Sequence, residues 1–443
     1  MLVSNTIAAI ATPSGTGGIS IIRVSGTQTR AIATQITDLK KFPPRVLQVC
    51  QIVNKNQKLD TGMAVFFEAP NSYTGEDVLE LHCHGSYFLA QKILEELLKL
   101  GARLAAPGEF TKRAFLAGKL DLTQAESVAD MLNAGSELQL HLAQKHLEGD
   151  VAAEIKNLRQ KILLLLAELE AALDHPEEIE DPQTKKIRIL LNDVQKKITK
   201  LLEDSGQGLL IKSGARIVLA GHTNAGKSSL FNALLLHDRA IVTDIAGTTR
   251  DTLEAEASLN GLKTTLIDTA GLRDTADKIE KLGVKRSHAQ IAGADLILFI
   301  LDAAAGFTAE DKKILELLSA KKFLPVINKA DLPNSFDYPN AVKVSAKTGQ
   351  GLPELTKKIL ELLDLQNIDI SKNIYISSLR QKEKLIAAEK ILAKTQETLK
   401  TLEYPDVLAI YLKELVVVFG EITGEEVSAE VIEEIFANFC VGK

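Results

Sequence analysis

Cysteine is scarce: Cys50, Cys83 and Cys440 are the only three in 443 residues. Their wide separation excludes a disulfide framework and a CxxC metal site, and points to a reducing compartment. A long apolar run is also missing. The greasiest stretch, Leu163-Leu164-Leu165-Leu166, is soon interrupted by Glu168 and Glu170, too early for a membrane span. The first six residues carry no basic segment ahead of a signal-type apolar core. The expectation is therefore a cytoplasmic protein without membrane attachment. Positive charge is not in excess either, because 52 Lys+Arg against 58 Asp+Glu give a formal charge of -6. Any contact with nucleic acid must use a local basic patch on an acidic body.

What is present is ordinary globular material, 45% hydrophobic and 25% charged, unlike disordered, collagenous or membrane-spanning chains. The length suits about three domains. Over residues 1–118, alternating strands are expected at Ile19 to Val24, Val46 to Val53, Met63 to Phe67 and Val78 to His82, with helices near Thr27 to Leu39 and Tyr87 to Leu100. Residues 119–208 show apolar positions at i, i+3, i+4, as in Ala152-Ile155-Leu158, the mark of amphipathic helices; Pro176 and Pro182 break the pattern once. Over 209–371, short apolar strands at Arg216 to Ala220, Thr264 to Ile267, Asp295 to Leu301 and Phe323 to Ile327 alternate with helices, which predicts a largely parallel sheet covered on both faces. Asn260-Gly261 adds one hairpin turn. Helical spacing returns over 372–443. Neither helical stretch closes a core alone, so the expected architecture is an α/β N-terminal domain followed by one discontinuous helical domain, with an α/β domain inserted into it.

The strongest motif is Gly221-His222-Thr223-Asn224-Ala225-Gly226-Lys227-Ser228, which fits GxxxxGK[ST] between a strand and a helix starting near Ser229. Its glycines let backbone N–H groups face phosphates at a helix N-terminus, Lys227 brings a cation to the β/γ oxygens, and Ser228 offers a hydroxyl to Mg²⁺. Asp268-Thr269-Ala270-Gly271 follows at a strand end, placing a carboxylate near the metal and an N–H near the γ-phosphate. Asn328-Lys329-Ala330-Asp331 ends another strand; Asp331 can accept from guanine N1–H and the 2-amino group, contacts adenine cannot return. Ser345-Ala346-Lys347 would complete the base pocket. Four motifs in this order indicate a GTPase. The position after the DxxG glycine, where many small GTPases carry a Gln, is Leu272. Arg250 and Arg273 read either as arginine-finger candidates or as solvated charges.

With these motifs, the chain resembles a Ras-like P-loop GTPase, specifically the MnmE (TrmE) family of tRNA-modification GTPases. The resemblance runs the full length and is carried by Ala11-Thr12-Pro13-Ser14-Gly15-Thr16-Gly17-Gly18, Pro107-Gly108-Glu109-Phe110-Thr111-Lys112-Arg113-Ala114-Phe115, Lys119-Leu120-Asp121-Leu122-Thr123-Gln124-Ala125-Glu126, the Asn224-containing loop, Gly247-Thr248-Thr249-Arg250-Asp251 and the terminal Cys440-Val441-Gly442-Lys443. It implies a GTP-binding switch at Thr243-Asp244-Ile245-Ala246-Gly247-Thr248-Thr249. In that switch, Thr243, Ile245 and Thr248 would join Asn224 as potassium ligands, and Thr249 would bind Mg²⁺ together with Ser228. The competing reading of Asn224 by itself is a loop-stiffening side chain. The resemblance further implies that Glu280 orients the attacking water through a second water. It also implies a 5-formyl- or 5,10-methylene-tetrahydrofolate site on Arg23, Glu80, Lys119 and Lys443.

The function implied is GTP-dependent addition of a carboxymethylaminomethyl-type group to C5 of the tRNA wobble uridine. It would be carried out by a homodimer in a heterotetramer with an FAD-dependent partner of the MnmG (GidA) family. Cys440 reads as a nucleophile or a tolerated thiol in a tail that does not fit a prenylation box. His82-Cys83-His84 does not read as a metal site, because on a strand the two histidines share one face and the thiol points away. Gly15-Thr16-Gly17-Gly18 precedes a strand, which rules out a phosphate loop. The alternatives are a ribosome-assembly GTPase switch, which would need an RNA-binding module such as a KH domain after the G domain, and a folate-dependent transferase with a regulatory GTPase.

Overall fold

The computed structural model describes residues 5–55, 57–175, 177, 184–237, 253–268, 290–318, 321–333, 336–401 and 405–442. They group into two compact units, one of Met1–Ala129, His146–Pro182 and Thr401–Lys443, the other of Asp130–Lys145 and Gln183–Lys400.

The first unit is built on strands β1 (Ile7–Ile10), β2 (Ile19–Ser25), β3 (Gln48–Asn54), β4 (Gln57–Phe67), β5 (Val78–His84) and β6 (Arg103–Leu104). They order as β3-β4-β5-β2-β1-β6, antiparallel throughout except β1 with β6. Alternation decides the two faces. Ile22, Val24, Leu79 and Leu81 pack with Ile32, Ile36, Ala90, Ile93 and Leu97 from helices α1 (Thr29–Ile36) and α2 (Tyr87–Lys99). The intervening residues Arg23 and Glu80 fall on the other face, and the β2–β5 register sets them directly opposite each other.

The sequence motif at 107–115 forms the start of α3 (Glu109–Leu116). Gly108 stands before it at φ 64, with Phe436 O and Phe439 Cβ each 2.9 Å from where a Cβ would stand, so this approach requires glycine. Glu109 and Arg113 share a helix face. The Glu109 carboxylate accepts from Arg103, from Arg113 and from Ala106 N–H, while Arg113 also reaches Glu76 at 2.8 Å and Asn5 O at 2.8 Å. Burial works to raise the Glu109 pKa, but Arg103, the Ala106 N–H and Arg113 overcome it and hold the carboxyl down at about 2. A motif that carries the resemblance thus also ties α3 to the sheet.

Four helices follow, α4 (Leu122–Asn133), α5 (Glu137–Glu148), α6 (Asp150–Asp174) and α7 (Thr184–Ser213). The chain then enters a second sheet of β7 (Ala215–Ala220), β8 (Leu253–Leu259), β9 (Leu262–Asp268), β10 (Leu296–Asp302), β11 (Phe323–Asn328) and β12 (Val342–Lys343). Their order is β12-β11-β10-β7-β9-β8, parallel except for the β8–β9 hairpin. Asn260 at φ 49 and Gly261 at φ 81 make its turn. Both faces are covered as expected: Ile217, Leu219, Leu298 and Ile300 belong to one core cluster, Val218, Ala220, Phe299 and Leu301 to the other. The covering helices include α8 (Lys227–His237), α9 (Ala309–Leu318) and α10 (Leu352–Leu362).

The chain ends in α11 (Leu379–Thr401), α12 (Pro405–Thr423) and α13 (Ala429–Ala437). Helices from before and after the inserted sheet pair with one another. In the first unit α6 meets α12, where Arg159 Nε donates to Val416 O at 3.2 Å and Lys413 pairs with Glu170 at 2.7 Å. In the second unit α7 meets α11, where Gln195 and Thr199 both donate to Glu389 Oε1 at 3.2 Å. The helical domain is therefore discontinuous in sequence, and a Ras-like α/β P-loop domain is inserted into it. No helix among the described residues is long and apolar enough to cross a membrane.

Candidate functional site

Strand β7, flanked by β10 and β9, ends at Ala220, and α8 begins at Lys227, so the phosphate loop, opening with Gly221, leaves the carboxyl end of a central parallel strand. A Cβ on Gly221 would stand 2.4 Å from Ile300 O, and one on Gly226, at φ 90, would stand 2.3 Å from Asn328 Nδ2. Both approaches need the missing side chain. Lys227 lies back along the loop, with Nζ donating to Gly221 O at 2.9 Å and His222 O at 2.8 Å. Ser228 Oγ is 2.6 Å from Oδ2 of Asp268, the buried last residue of β9. A hydroxyl and a carboxylate oxygen at the N-terminus of α8 form a hard-oxygen donor set suited to Mg²⁺. Asn224 is exposed at φ 65, and Ser229 is exposed beside Ser228.

The base-reading motif grips the same loop. Asn328 Nδ2 donates to Ala225 O at 3.2 Å and Gly226 O at 3.3 Å, while its Oδ1 accepts from Ala346 N at 3.1 Å. Lys329 Nζ donates to Asn224 O at 2.9 Å and to Asp302 Oδ2 at 2.7 Å. Burial works to raise the Asp302 pKa, but the Lys329 bond and the Ala304 and Ala305 N–H groups bring it below its ordinary value. Asp331 Oδ1 accepts from the Ser345 hydroxyl at 2.7 Å, and that bond first of all holds its carboxyl below the usual range. Lys347 is exposed beside it. The loop, Asn328, Lys329, Asp331, Ser345 and Ala346 thus converge as the motifs require. Asp302 was not singled out by sequence; its place at the carboxyl end of an apolar parallel strand is the signal that identifies it.

Thr243, Asp244, Ile245, Ala246, Gly247, Thr248, Thr249, Thr269, Ala270, Gly271, Leu272, Glu280 and Lys443 lie outside the described residues, as do Arg250 and Arg273.

A second cluster forms in the first unit. Arg23 Nε and Nη2 reach Glu80 Oε1 at 2.9 and 2.8 Å, with both side chains 16% exposed. The guanidinium lies 5.8 Å from the Tyr73 ring centre and 5.6 Å from that of Phe110, close enough for cation–π attraction. Tyr73 donates to or accepts from Thr111 Oγ1 at 2.9 Å, and burial raises its phenol above its ordinary value against the pull of Thr111 and Arg23. Tyr73 was not marked by sequence and Phe110 only as part of the motif at 107–115, since their place beside Arg23 arises only from tertiary contact.

The C-terminal tail joins this cluster. Gly442 O accepts from Arg23 Nη1 at 3.4 Å, and Cys440 O accepts from Gly108 N at 3.3 Å. Gly442 is at φ 99, where a Cβ would stand 2.4 Å from Ile10 O. Cys440 itself is exposed. Lys119 is exposed too, and a Cβ on Gly75, close in sequence to Tyr73, would stand 3.6 Å from its Cε. The donors of Arg23, the acceptors of Glu80 and the two ring faces are the chemistry that a flat amide-bearing heterocycle requires. By contrast, Cys83 is buried against Ser20 O, and His84 pairs with Asp60 at 2.8 Å. A cavity of about 160 Å³ in the second unit, lined by Asp130, Gln139, Lys212 and Ser377 among others, includes no nucleotide-motif residue.

Comparison with known proteins identifies relatives along the whole chain. The N-terminus of the GTP-binding protein TrmE matches residues 6–119, and the MnmE helical domain matches residues 122–440. The tRNA modification GTPase MnmE of Thermosipho melanesiensis is 39% identical, covering 99% of this chain and 100% of its own. That of Carboxydothermus hydrogenoformans is 42% identical, covering 100% of both. Among solved structures, the G domain of the T. maritima FeoB iron transporter is 28% identical, covering 33% of this chain and 98% of that one, with a TM-score of 0.27. With relatives this similar along the whole length, the chain belongs to the MnmE family of tRNA modification GTPases.

Proposed function

We propose that this protein hydrolyses GTP to drive tRNA modification, adding a carboxymethylaminomethyl-type group to C5 of the wobble uridine. It acts in the cytoplasm as a homodimer, in a heterotetramer with an FAD-dependent MnmG-type partner. The observation that carries this reading is the seating of Cys440 and Gly442 on Gly108 and Arg23 within one unit of a chain that also holds a guanine-type nucleotide site. A GTPase switch alone has no use for that second site. Domain limits at 1–118, 119–208, 209–371 and 372–443 accompany the proposal.

In the nucleotide site, Lys227 and the N–H groups opening α8 hold the β/γ-phosphates, and Asp331 reads the guanine edge. Ser228 and Thr249 would hold Mg²⁺, with the Asp268 carboxylate beside Ser228, and the ion would neutralise phosphate charge. Asn224, with Thr243, Ile245 and Thr248, holds potassium, which supplies positive charge where an arginine finger would otherwise act. Leu272 cannot polarise water, and the family resemblance gives that task to Glu280. In the N-terminal site, Arg23, Glu80, Lys119 and Lys443 hold the folate, which supplies the one-carbon unit when bound. Arg23 and Glu80 orient it through paired donors and acceptors. Cys440 brings an exposed thiol to the same place.

Mass spectrometry of tRNA from a deletion strain tests the reading. Loss of the wobble-uridine group, restored by the gene, is expected. Fully modified tRNA with a ribosomal-subunit defect would transfer the assignment to ribosome assembly.

A further inference from the structure

One side chain of the phosphate loop is used by none of the nucleotide motifs. His222 is 9% exposed, and its Nδ1 lies 3.0 Å from Oδ1 of Asp311. Asp311 is fully buried in the first turn of α9. Its other oxygen, Oδ2, accepts from the Thr308 N–H at 2.9 Å and the Thr308 hydroxyl at 2.7 Å, while Asp311 N–H donates back to Thr308 Oγ1 at 3.2 Å. This reciprocal pair caps the helix start.

A cap does not require complete burial. Capping residues work at the surface, and a buried carboxylate is costly unless each oxygen is matched. The cap occupies Oδ2 and leaves Oδ1 for His222. The consequence reaches the ligand site, because the backbone oxygen of His222 accepts from Lys227 Nζ at 2.8 Å. A lysine ammonium rides on a flexible four-carbon stem, and here two carbonyls of one tight loop fix where it points. Gly221 is packed so close to Ile300 O that no Cβ fits, whereas His222 is held through its ring.

We propose that Asp311 is a positioning residue for phosphate recognition, acting through His222 to set the carbonyl that aims Lys227 at the β- and γ-phosphates of a guanine nucleotide. Asp311 lies outside every nucleotide motif, in the helix after β10. The proposal rests on Lys227 being the phosphate cation, and the test treats that premise separately.

The experiment uses the full chain and fluorescent GDP and GMP. GMP lacks the phosphates that Lys227 would touch, so the ratio of the two affinities reports the aim of the lysine, whereas loss of the base pocket weakens both alike. First, Lys227→Ala must lower GDP affinity more than GMP affinity; if it does not, the premise fails whatever Asp311 does. Then Asp311→Asn and His222→Ala should each weaken GDP roughly tenfold, as for one charge-assisted contact, with GMP little changed. His222→Asn, whose amide can donate from near the Nδ1 position, should recover most of the loss. In a Lys227→Ala background, His222→Ala should add nothing further.

Wild-type GDP affinity in His222→Ala would overturn the proposal. So would equal losses for GDP and GMP, or full additivity with Lys227→Ala. Should Asp311→Asn fail to fold, the His222 pair decides alone, because both variants leave the Thr308–Asp311 cap intact.

Discussion

Arg23 and Gly442 stand 419 positions apart in sequence, yet Nη1 of the first donates to the backbone oxygen of the second at 3.4 Å. The C-terminal tail therefore packs against its own chain's N-terminal domain. Cys440 arrives there with its carbonyl held by Gly108 and its thiol free to solvent.

Deleting residues 440–443 should weaken folate binding about tenfold, since charge-assisted contacts to the tail are lost, and abolish wobble-uridine modification. GTP turnover should stay near wild type. Gly442→Ala should act in the same direction, because φ 99 and the 2.4 Å approach to Ile10 O leave no room for a Cβ. Cys440→Ser separates chemistry from binding, since the hydroxyl fills nearly the same space but is a far poorer nucleophile. Isothermal titration with 5-formyltetrahydrofolate and tRNA analysis read the outcomes, and normal folate affinity in the truncated protein would remove the tail from the site.

GTP hydrolysis should run faster in KCl than in NaCl at equal ionic strength, and Asn224→Ala should erase the difference while nucleotide binding is largely kept. Lys227 and the backbone N–H groups still hold the phosphates in that variant. Equal wild-type rates in the two salts would count against a potassium site.

Asp331→Asn should cut preference for guanine over xanthine nucleotides on the order of 100-fold, because an amide donates where two acceptors are wanted. Competition binding with XTP reads this directly. Unchanged discrimination would mean that the Asp331–Ser345 pair does not line the base pocket.

The buried network around Glu109 predicts an acid limb in stability. Its folded pKa, about 2, lies below the ordinary 4.5, so its contribution is complete above pH 4.5 and is lost as the pH falls toward 2. The ceiling is roughly 3 kcal/mol. Glu109→Gln should lower protection of the α3 amides at pH 7 and flatten their pH dependence between 5 and 3, as read by hydrogen exchange.

Thiol labelling should be selective. Burial first of all pushes Cys50 and Cys83 up to about 11, which leaves about one thiolate in a thousand at pH 8. Iodoacetamide followed by peptide mass spectrometry should find Cys440 modified well before either. Early labelling of Cys83 would contradict the packing of β5.

Strand and helix types were readable wherever periodicity ran long. β4 was expected from Met63 and begins at Gln57. Its first half, Gln57-Lys58-Leu59-Asp60-Thr61, is mostly polar and is held as strand by pairing with β3. β1, with four residues, and β6, with two, are too short to carry a period and exist because neighbouring backbones supply their hydrogen bonds.

The nucleotide site was legible because its chemistry is local. Eight consecutive residues build the phosphate loop, and each remaining motif sits at a strand end, so residue order alone set the donors, the cation and the base reader. The Arg23–Glu80 cluster and the His222–Asp311 contact have no such local cause. Arg23 meets Glu80 through strand register. Gly442 meets Arg23 because Phe436 and Phe439 seat the last helix against Gly108. Asp311 meets His222 because a buried carboxylate must find a partner wherever the packed sheet provides one. Such contacts are selected by burial and shape across hundreds of positions, and only the folded chain decides them.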